Sequence, residues 1–428
     1  MGELQNNQLT VDLDVDHIAV SPGAPDQIVP LVLEINNLTQ AFTAGQTTAR
    51  QQLLEVVESL LAAVETPREA IGRHCWRSST GFAAITTAID LGIFRLLAES
   101  DQPKSVHELA HATGADILLL HTFHSLIISA ERIMKHLGAI NAVIETENGE
   151  YACNNFSHTL AHTKYADSFP VFMDCFYPTI FAIPKFLQQT NYRNPTNNHH
   201  SPFQLGIHTT HTFFEALADN PVLSAQFNNH MSIYHKGRTS WMDPGFYPVD
   251  QLQGDCPLGK EDIFLVDVGG GKGHDLNELC TKWPTIPGRL ILQDLPAVIA
   301  EATDLHPSIE CMAHDFFTEQ PVKGARAYFL HSILHDWPDD DCLQILAPLK
   351  AAMVPGVSRL LINENVVTDH KAPWYVTSLD LILMADFAGT ERTEAQWRGL
   401  LTEAGFRVVK IWTADRWSES LIECEVEV

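Results

Sequence analysis

The run FLVDVGGGKG, from Phe264 to Gly273, is the segment of this chain best suited to hold a ligand. An apolar strand ends at Asp267 and passes straight into glycines at 269, 270, 271 and 273. Without a Cβ the backbone turns tightly there and comes close to a bound group. A second short apolar strand, RLILQDLP, ends in the carboxylate of Asp294, placed to accept hydrogen bonds from ribose hydroxyls. Together these features predict a nucleoside-like cofactor in the C-terminal half. The nicotinamide fingerprint G-x-G-x-x-G fails, because His274 stands where the third glycine belongs. A Walker lysine with a following Ser or Thr is also absent, since Lys272 precedes Gly273.

The elements that must position this loop alternate from residue 262 onward. Strands are predicted near 263–268, 289–293, 326–331, 358–364, 406–412 and 419–427, with helices such as 339–353 and 393–404 between them. Such alternation implies an α/β fold with a mainly parallel sheet and helices on both faces. The link Thr413–Glu419 is too short for a parallel crossover, so the last strand should run antiparallel to its neighbour. A glycine-rich first turn, an acidic second strand end and an antiparallel last strand together describe the Rossmann-like class I sheet that binds S-adenosylmethionine.

The N-terminal half reads as helical. Residues 1–25 are polar and expected to be a disordered tail, followed by two helical patterns from Gln27 to Glu65 and one apolar helix over Gly81–Leu97. Ser105 and Glu108 form a capping box for a short helix that Gly114 closes, and Asp116 caps a second helix. Strand-like runs at Ala142–Glu145 and Tyr151–Cys153 flank the turn Asn148-Gly149. Helix, turn, helix and hairpin predict a winged helix-turn-helix. Its second helix, DILLLHTFHSLIISAERI, has few cations and should pack, not read bases. A DNA-binding regulator is therefore a poor reading. The expected order is the tail, a helical winged-helix domain over 26–165, a helical linker lining an acceptor pocket over 166–250, and a cofactor-binding catalytic domain over 251–428.

Composition supports an enzyme acting on small molecules. The 53 acidic residues against 27 basic ones oppose nucleic acid and anionic membrane as partners. No stretch approaches the roughly 18 apolar residues of a membrane span. The polar, acidic N-terminus does not read as a secretory signal. The eight cysteines are scattered without a C-x-x-C, as reduced thiols in a cytoplasmic protein would be. His208-x-x-His211 and His199-His200 lack companions at ligand spacing, so no metal site is expected.

The motifs DVGGGKG, QDLPAVI, HDFF, ILHDWPDDDC, LLINENVV and GTERTEAQW, in this order, resemble those of the plant and fungal small-molecule O-methyltransferases. The likeness extends over about residues 75–428, and fungal secondary-metabolism members of the sterigmatocystin type look most similar. It implies S-adenosylmethionine as cofactor and a homodimer intertwined through the winged helix. It also implies methyl transfer to a hydroxyl of an aromatic or heteroaromatic metabolite.

Methyl transfer from a sulfonium needs an oriented acceptor and removal of its proton. A phenol has a pKa near ~10, and a histidine close to neutrality suits the task. His335 lies just past the 326–331 strand, at the carboxyl end of the sheet, and coincides with the family's catalytic base. By the same resemblance Glu364 and Glu391 flank it as orienting carboxylates, and Asp336 supports the turn beside the substrate. Cofactor contacts carry over to Gly269, Gly270 and Gly271, to Asp294 and Leu295 at the ribose, and to Asp315 and Phe316 at the adenine. His331 stands where the plant family often has a lysine. Phe227 and Met231, at helical i,i+4 spacing, match the pair that lines the acceptor ring, and Trp241 and Asp243 border the cofactor. Some fungal relatives keep the cofactor yet catalyse dehydration and pericyclic ring formation on pyridones, with the sulfonium acting as a fixed charge. That chemistry is the alternative function.

Overall fold

The computed structural model describes residues 14–116, 119, 132–253 and 258–427. The chain forms two compact units, the first ending at Phe169 and the second beginning at Pro170. Residues 170–250, expected as a linker, thus belong to the same unit as the sheet.

In the first unit, helices Pro25–Thr43 and Ala49–Val64 pack on each other. A short helix, Val15–Ala19, occupies part of the expected disordered tail, and the Asp14 side chain caps it by accepting from His17 N at 3.1 Å. The single helix expected over Gly81–Leu97 is two, Ser78–Asp90 and Ile93–Ala98. Gly92 parts them at φ +70°, a left-handed conformation that stops a helix. The capping box of Ser105 and Glu108 is present, and Gly114 closes that helix at φ +71°. Strands β1 (Ile144–Glu145) and β2 (Tyr151–Ala152) form the antiparallel hairpin, with Gly149 at φ +74° in its turn. The helix expected after Asp116 lies outside the described residues until Arg132. Phe94, Leu97, Leu109, Met134, Leu137 and Tyr151 make this unit's core.

The second unit is built on a seven-stranded sheet. Its strands are β3 (Ile263–Val268), β4 (Arg289–Asp294), β5 (Ile309–Ala313), β6 (Ala327–His331), β7 (Arg359–Glu364), β10 (Phe406–Trp412) and β11 (Ser420–Val426). The minor strands β8 (Val366–Val367) and β9 (Arg392–Thr393) pair separately. The sheet order is β10-β11-β7-β6-β3-β4-β5, parallel except for β11, which is antiparallel to both β7 and β10. Edge strand β5, IECMA, escaped the sequence reading because it is only five residues long and Glu310 interrupts its apolar run.

Alternate residues of each strand feed two cores. Tyr328, Leu330, Leu360 and Ile362 join Trp397 and Leu346 on one face. Ala327, Phe329 and Leu361 join Trp241 and Leu279 on the other. With both faces covered, the strands read as continuous apolar runs. The chain starts in the middle of the sheet at β3, runs out to β5, and returns to β6 on the other side of β3. Open α/β sheets bind ligands at such a reversal, outside the strands' carboxyl ends. Asp267, Asp294, His331 and Glu364 all sit at those ends.

Candidate active site

The glycine loop leaves β3 at this reversal. Gly269 has φ +76°, and a Cβ on it would come within 2.6 Å of Ile333 Cδ1 and 3.6 Å of the Phe316 ring. Gly271 has φ +58° and open space where its Cβ would stand. Asp294 clasps the loop: Oδ2 accepts from Gly271 N at 2.8 Å, and Oδ1 from Leu295 N at 2.7 Å. Asp315 accepts from Phe317 N at 3.0 Å, which turns Phe316 toward Gly269. Beneath Gly270 the Asp267 carboxyl is fully buried, with no hydrogen-bond partner on either oxygen among the described residues. Burial raises its pKa well above the carboxylate range. The open space at Gly271, a clasping Asp294 and an orphaned buried carboxyl fit a polar, cationic nucleoside such as S-adenosylmethionine.

Ile333 ties this loop to the expected base, for it stands two residues before His335. His335 lies in the short 3-10 turn Leu334–Asp336 after β6 and is 4 % exposed. Its Nδ1 pairs with Glu391 Oε1 at 3.1 Å and lies 3.3 Å from Glu364 Oε2. Its Nε2 faces Asp336 Oδ1 at 3.5 Å. The two glutamates do different work. Oε1 of Glu364 accepts from three successive amides, Ile333 N at 3.0 Å, Leu334 N at 2.9 Å and His335 N at 3.4 Å. It shapes the turn, while Glu391 holds the ring. Burial alone would lower the His335 pKa, but Glu364, Asp336 and Glu391 outweigh it and hold it well above 6.5. Burial pushes Glu364 up to about 7 and Asp336 up to about 6, against the pull of His335.

Several supports went unseen in the sequence. Gly389 passes so close that a Cβ would sit 2.2 Å from the His335 carbonyl oxygen. The next residue, Thr390, donates its N–H to that carbonyl at 2.9 Å. Asn365 Nδ2 donates to Glu391 Oε1 at 2.9 Å, and Glu391 N to Asp380 Oδ1 at 2.8 Å. Buried Arg392 spans the turn, donating to Leu334 O at 2.9 Å and Trp337 O at 3.0 Å and pairing with Asp339. Gly389, Thr390 and Arg392 lie inside the motif GTERTEAQW and Asn365 inside LLINENVV, whereas Asp380 carried no local signal.

His331, at the end of β6, is enclosed by carboxylates. Its Nδ1 pairs with Asp275 at 2.7 Å and its Nε2 with Glu419 at 2.8 Å, leaving neither nitrogen free. Burial opposes its charge, yet Asp275 and Glu419 hold its pKa well above 6.5. The His235 ring lies 4.1 Å from it, with Nδ1 3.2 Å from Glu419. Two sets, His235/His331/Glu419 and His335/Glu364/Glu391, bring metal-ligand atoms within 4.8 Å of one another. In each, a histidine whose pKa neighbouring carboxylates raise lies against the acidic group of the set. His211, of the exposed histidine pair, lies 3.2 Å from Asp219.

Phe227 and Met231, expected to line the acceptor, share helix Pro221–Tyr234. Phe227 packs on Phe213 at 5.1 Å and Phe176 at 6.5 Å, beside Phe387 and Leu383. Trp241 is nearly enclosed, 5.2 Å from Phe329 under the sheet, and Asp243 pairs with Lys282.

Residues 261–407 match the family model described as an O-methyltransferase domain. "O-methyltransferase mpaG" of Penicillium brevicompactum is 36% identical over 95% of this chain and 100% of its own length. The chain belongs to the O-methyltransferase family. "Methyltransferase cfoC" of Aspergillus candidus is 38% identical over 90% of this chain and 93% of its own. Among solved structures, "A Pericyclic Reaction enzyme" aligns with TM-score 0.82 at 28% identity, over 94% of this chain and 100% of that one. OxaC in complex with sinefungin and meleagrin aligns with TM-score 0.80 at 27% identity, over 94% and 99%. This O-methyltransferase thus has the class I fold, and the family uses S-adenosylmethionine. Among the described residues no helix is long and apolar enough to cross a membrane.

Proposed function

We propose that this O-methyltransferase methylates a hydroxyl on an aromatic or heteroaromatic small molecule, with His335 as general base. The observation that supports this most is the link through Ile333, which joins the glycine loop to the base. When bound, S-adenosylmethionine supplies a methyl group already activated on a sulfonium. Gly269, Gly270, Gly271, Asp294, Leu295, Asp315 and Phe316 hold it on the sheet edge. Phe227 and Met231 face the acceptor ring. His335, with Nδ1 held by Glu391, takes the hydroxyl proton at Nε2. Because the three surrounding carboxylates favour imidazolium, a cation bound beside the glycine loop helps this base by driving its proton off.

The same electrostatics favour a second reading. A histidine kept protonated is an acid, suited to dehydration or pericyclic chemistry without methyl transfer, and one structural neighbour is titled a pericyclic reaction enzyme. Incubation with methyl-labelled S-adenosylmethionine and a panel of phenolic metabolites separates the two. Label in a product heavier by one methylene supports transfer. An unlabelled product of unchanged mass, or one that has lost water, supports the alternative.

A further inference from the structure

With both nitrogens of His331 engaged, a ligand's anionic group must find its cation elsewhere on this edge. The segment 234–241 runs along the carboxyl ends of the strands. His235 stacks beside His331 at the end of β6. Thr239 donates its N–H to Ser418 Oγ at 3.1 Å, next to β11, and its hydroxyl to Asp415 at 3.1 Å. Trp241 packs on Phe329. Between these anchors stands Arg238. Its guanidinium lies over the rings of Tyr234 and Tyr375, with Cζ 4.5 and 5.0 Å from their centroids. The Tyr375 ring is itself pinned through its hydroxyl to Arg416 O at 3.0 Å.

Arg238 makes no ion pair among the described residues, and its buried Nη1 has no hydrogen-bond partner. The buried hydroxyl of Tyr234 beside it interacts with this guanidinium and has no other hydrogen-bond partner among the described residues, and of the carboxylates only the charge of Glu419 acts on Arg238. Neighbouring carboxylates are committed elsewhere: Glu419 to His331, His235 and Asn363, and Asp415 to Thr239, Trp417 N and Ser418. Burial raises the Tyr234 phenol, so it remains a donor at neutral pH. A desolvated guanidinium without a counter-ion is costly, and its planar fork matches a carboxylate in two-point contact.

We infer that Arg238 and Tyr234 form a carboxylate-binding subsite at the edge of the cofactor cleft. Its ligand is the amino-acid carboxylate of the sulfonium cofactor or a carboxylate on the acceptor. The inference rests on the proposed reading of the glycine loop as the cofactor site.

Calorimetry on the intact protein tests it with four probes. S-adenosylhomocysteine carries the carboxylate, and methylthioadenosine lacks the whole amino-acid half. With S-adenosylhomocysteine present, 2,4-dihydroxybenzoate and its methyl ester make a second pair. R238Q should weaken one carboxylate probe by at least about tenfold and leave its carboxylate-free partner unchanged. R238K should recover part of the loss, and Y234F should show a smaller one. Loss confined to the nucleoside pair assigns the cofactor carboxylate, and loss confined to the benzoate pair assigns an acidic acceptor. Unchanged binding of both carboxylates overturns the subsite. So does equal loss of a probe and its partner, which would make Arg238 structural. If the wild-type protein binds neither nucleoside, the cofactor reading itself falls, and the benzoate pair alone then decides on Arg238.

Discussion

His335 is held by two glutamates that a sequence motif makes look equivalent and that geometry distinguishes. His335→Ala should lower turnover about 100- to 10,000-fold while binding S-adenosylhomocysteine as the wild type does, because the ring touches no part of the glycine loop. Glu391→Gln should lower turnover with little loss of stability. Glu364→Ala should do both, since it strands three buried amides at about 1–3 kcal/mol each. Comparing denaturant midpoints with kcat for the two variants checks this division. The pH profile carries the sign of the mechanism. A base must be neutral, so kcat/KM for methyl transfer should rise with pH, with its limb above 6.5 because the folded pKa is raised. A rate that falls through the same range would mark His335 as an acid. Stability should run the other way. Glu364 and Asp336 have raised folded values, so their contribution is complete below 4.5 and 3.8 and is lost as pH climbs through about 7 and about 6. Unfolding midpoints should therefore drop between about pH 4 and pH 7, and less steeply in Glu364→Gln.

At the scale of elements, the turn after β6 keeps its shape because the segment from Gly389 to Arg392 lies directly against it. Gly389→Ala forces a carbon into the His335 carbonyl, so either the turn or the segment must shift. Overpacking of this kind costs about 1–3 kcal/mol and should remove most activity by displacing the ring. Gly399→Ala is the matched control. It lies on the exposed face of helix Glu394–Glu403 with nothing within 4 Å of the new carbon. It should stabilise by about 0.5–1 kcal/mol and leave kinetics unchanged. Thermal melts and initial rates on the two variants test both statements.

At the scale of the whole molecule, the first unit leaves a run of large apolar side chains uncovered. Val29 and Leu33 on one helix are 67% and 60% exposed, and Trp76 is 73% exposed. Exposed apolar patches of this kind mark association surfaces. Light scattering should find a homodimer of twice the 47.6 kDa chain mass. Replacing Val29 and Leu33 together by Asp should shift it toward monomer.

Local chemistry alone determined much of this. The glycine run, the carboxylate closing β4, the covered parallel strands and the short link that reverses β11 follow from steric and hydrogen-bonding rules that act within a few residues. For that reason the strands of the seven-stranded sheet, β5 excepted, were legible from the sequence, as was the capping box at Ser105, while the two-residue strands β8 and β9 were not. β5 was hidden because it is only five residues long and Glu310 breaks its apolar run. The break at Gly92 was hidden because one left-handed residue ends a helix without interrupting its apolar pattern. Only the tertiary structure decided which carboxylate serves which atom. Glu364 and Glu391 differ in their partners because strand and turn meet across the sheet, 27 residues apart in sequence, where no local rule reaches. His331 lost its freedom to Asp275 on a helix and Glu419 just before β11, and the same convergence left Arg238 without an ion pair among the described residues. Pairing of buried charges depends on what the whole fold brings within a few ångströms, and spacing along the chain does not encode it.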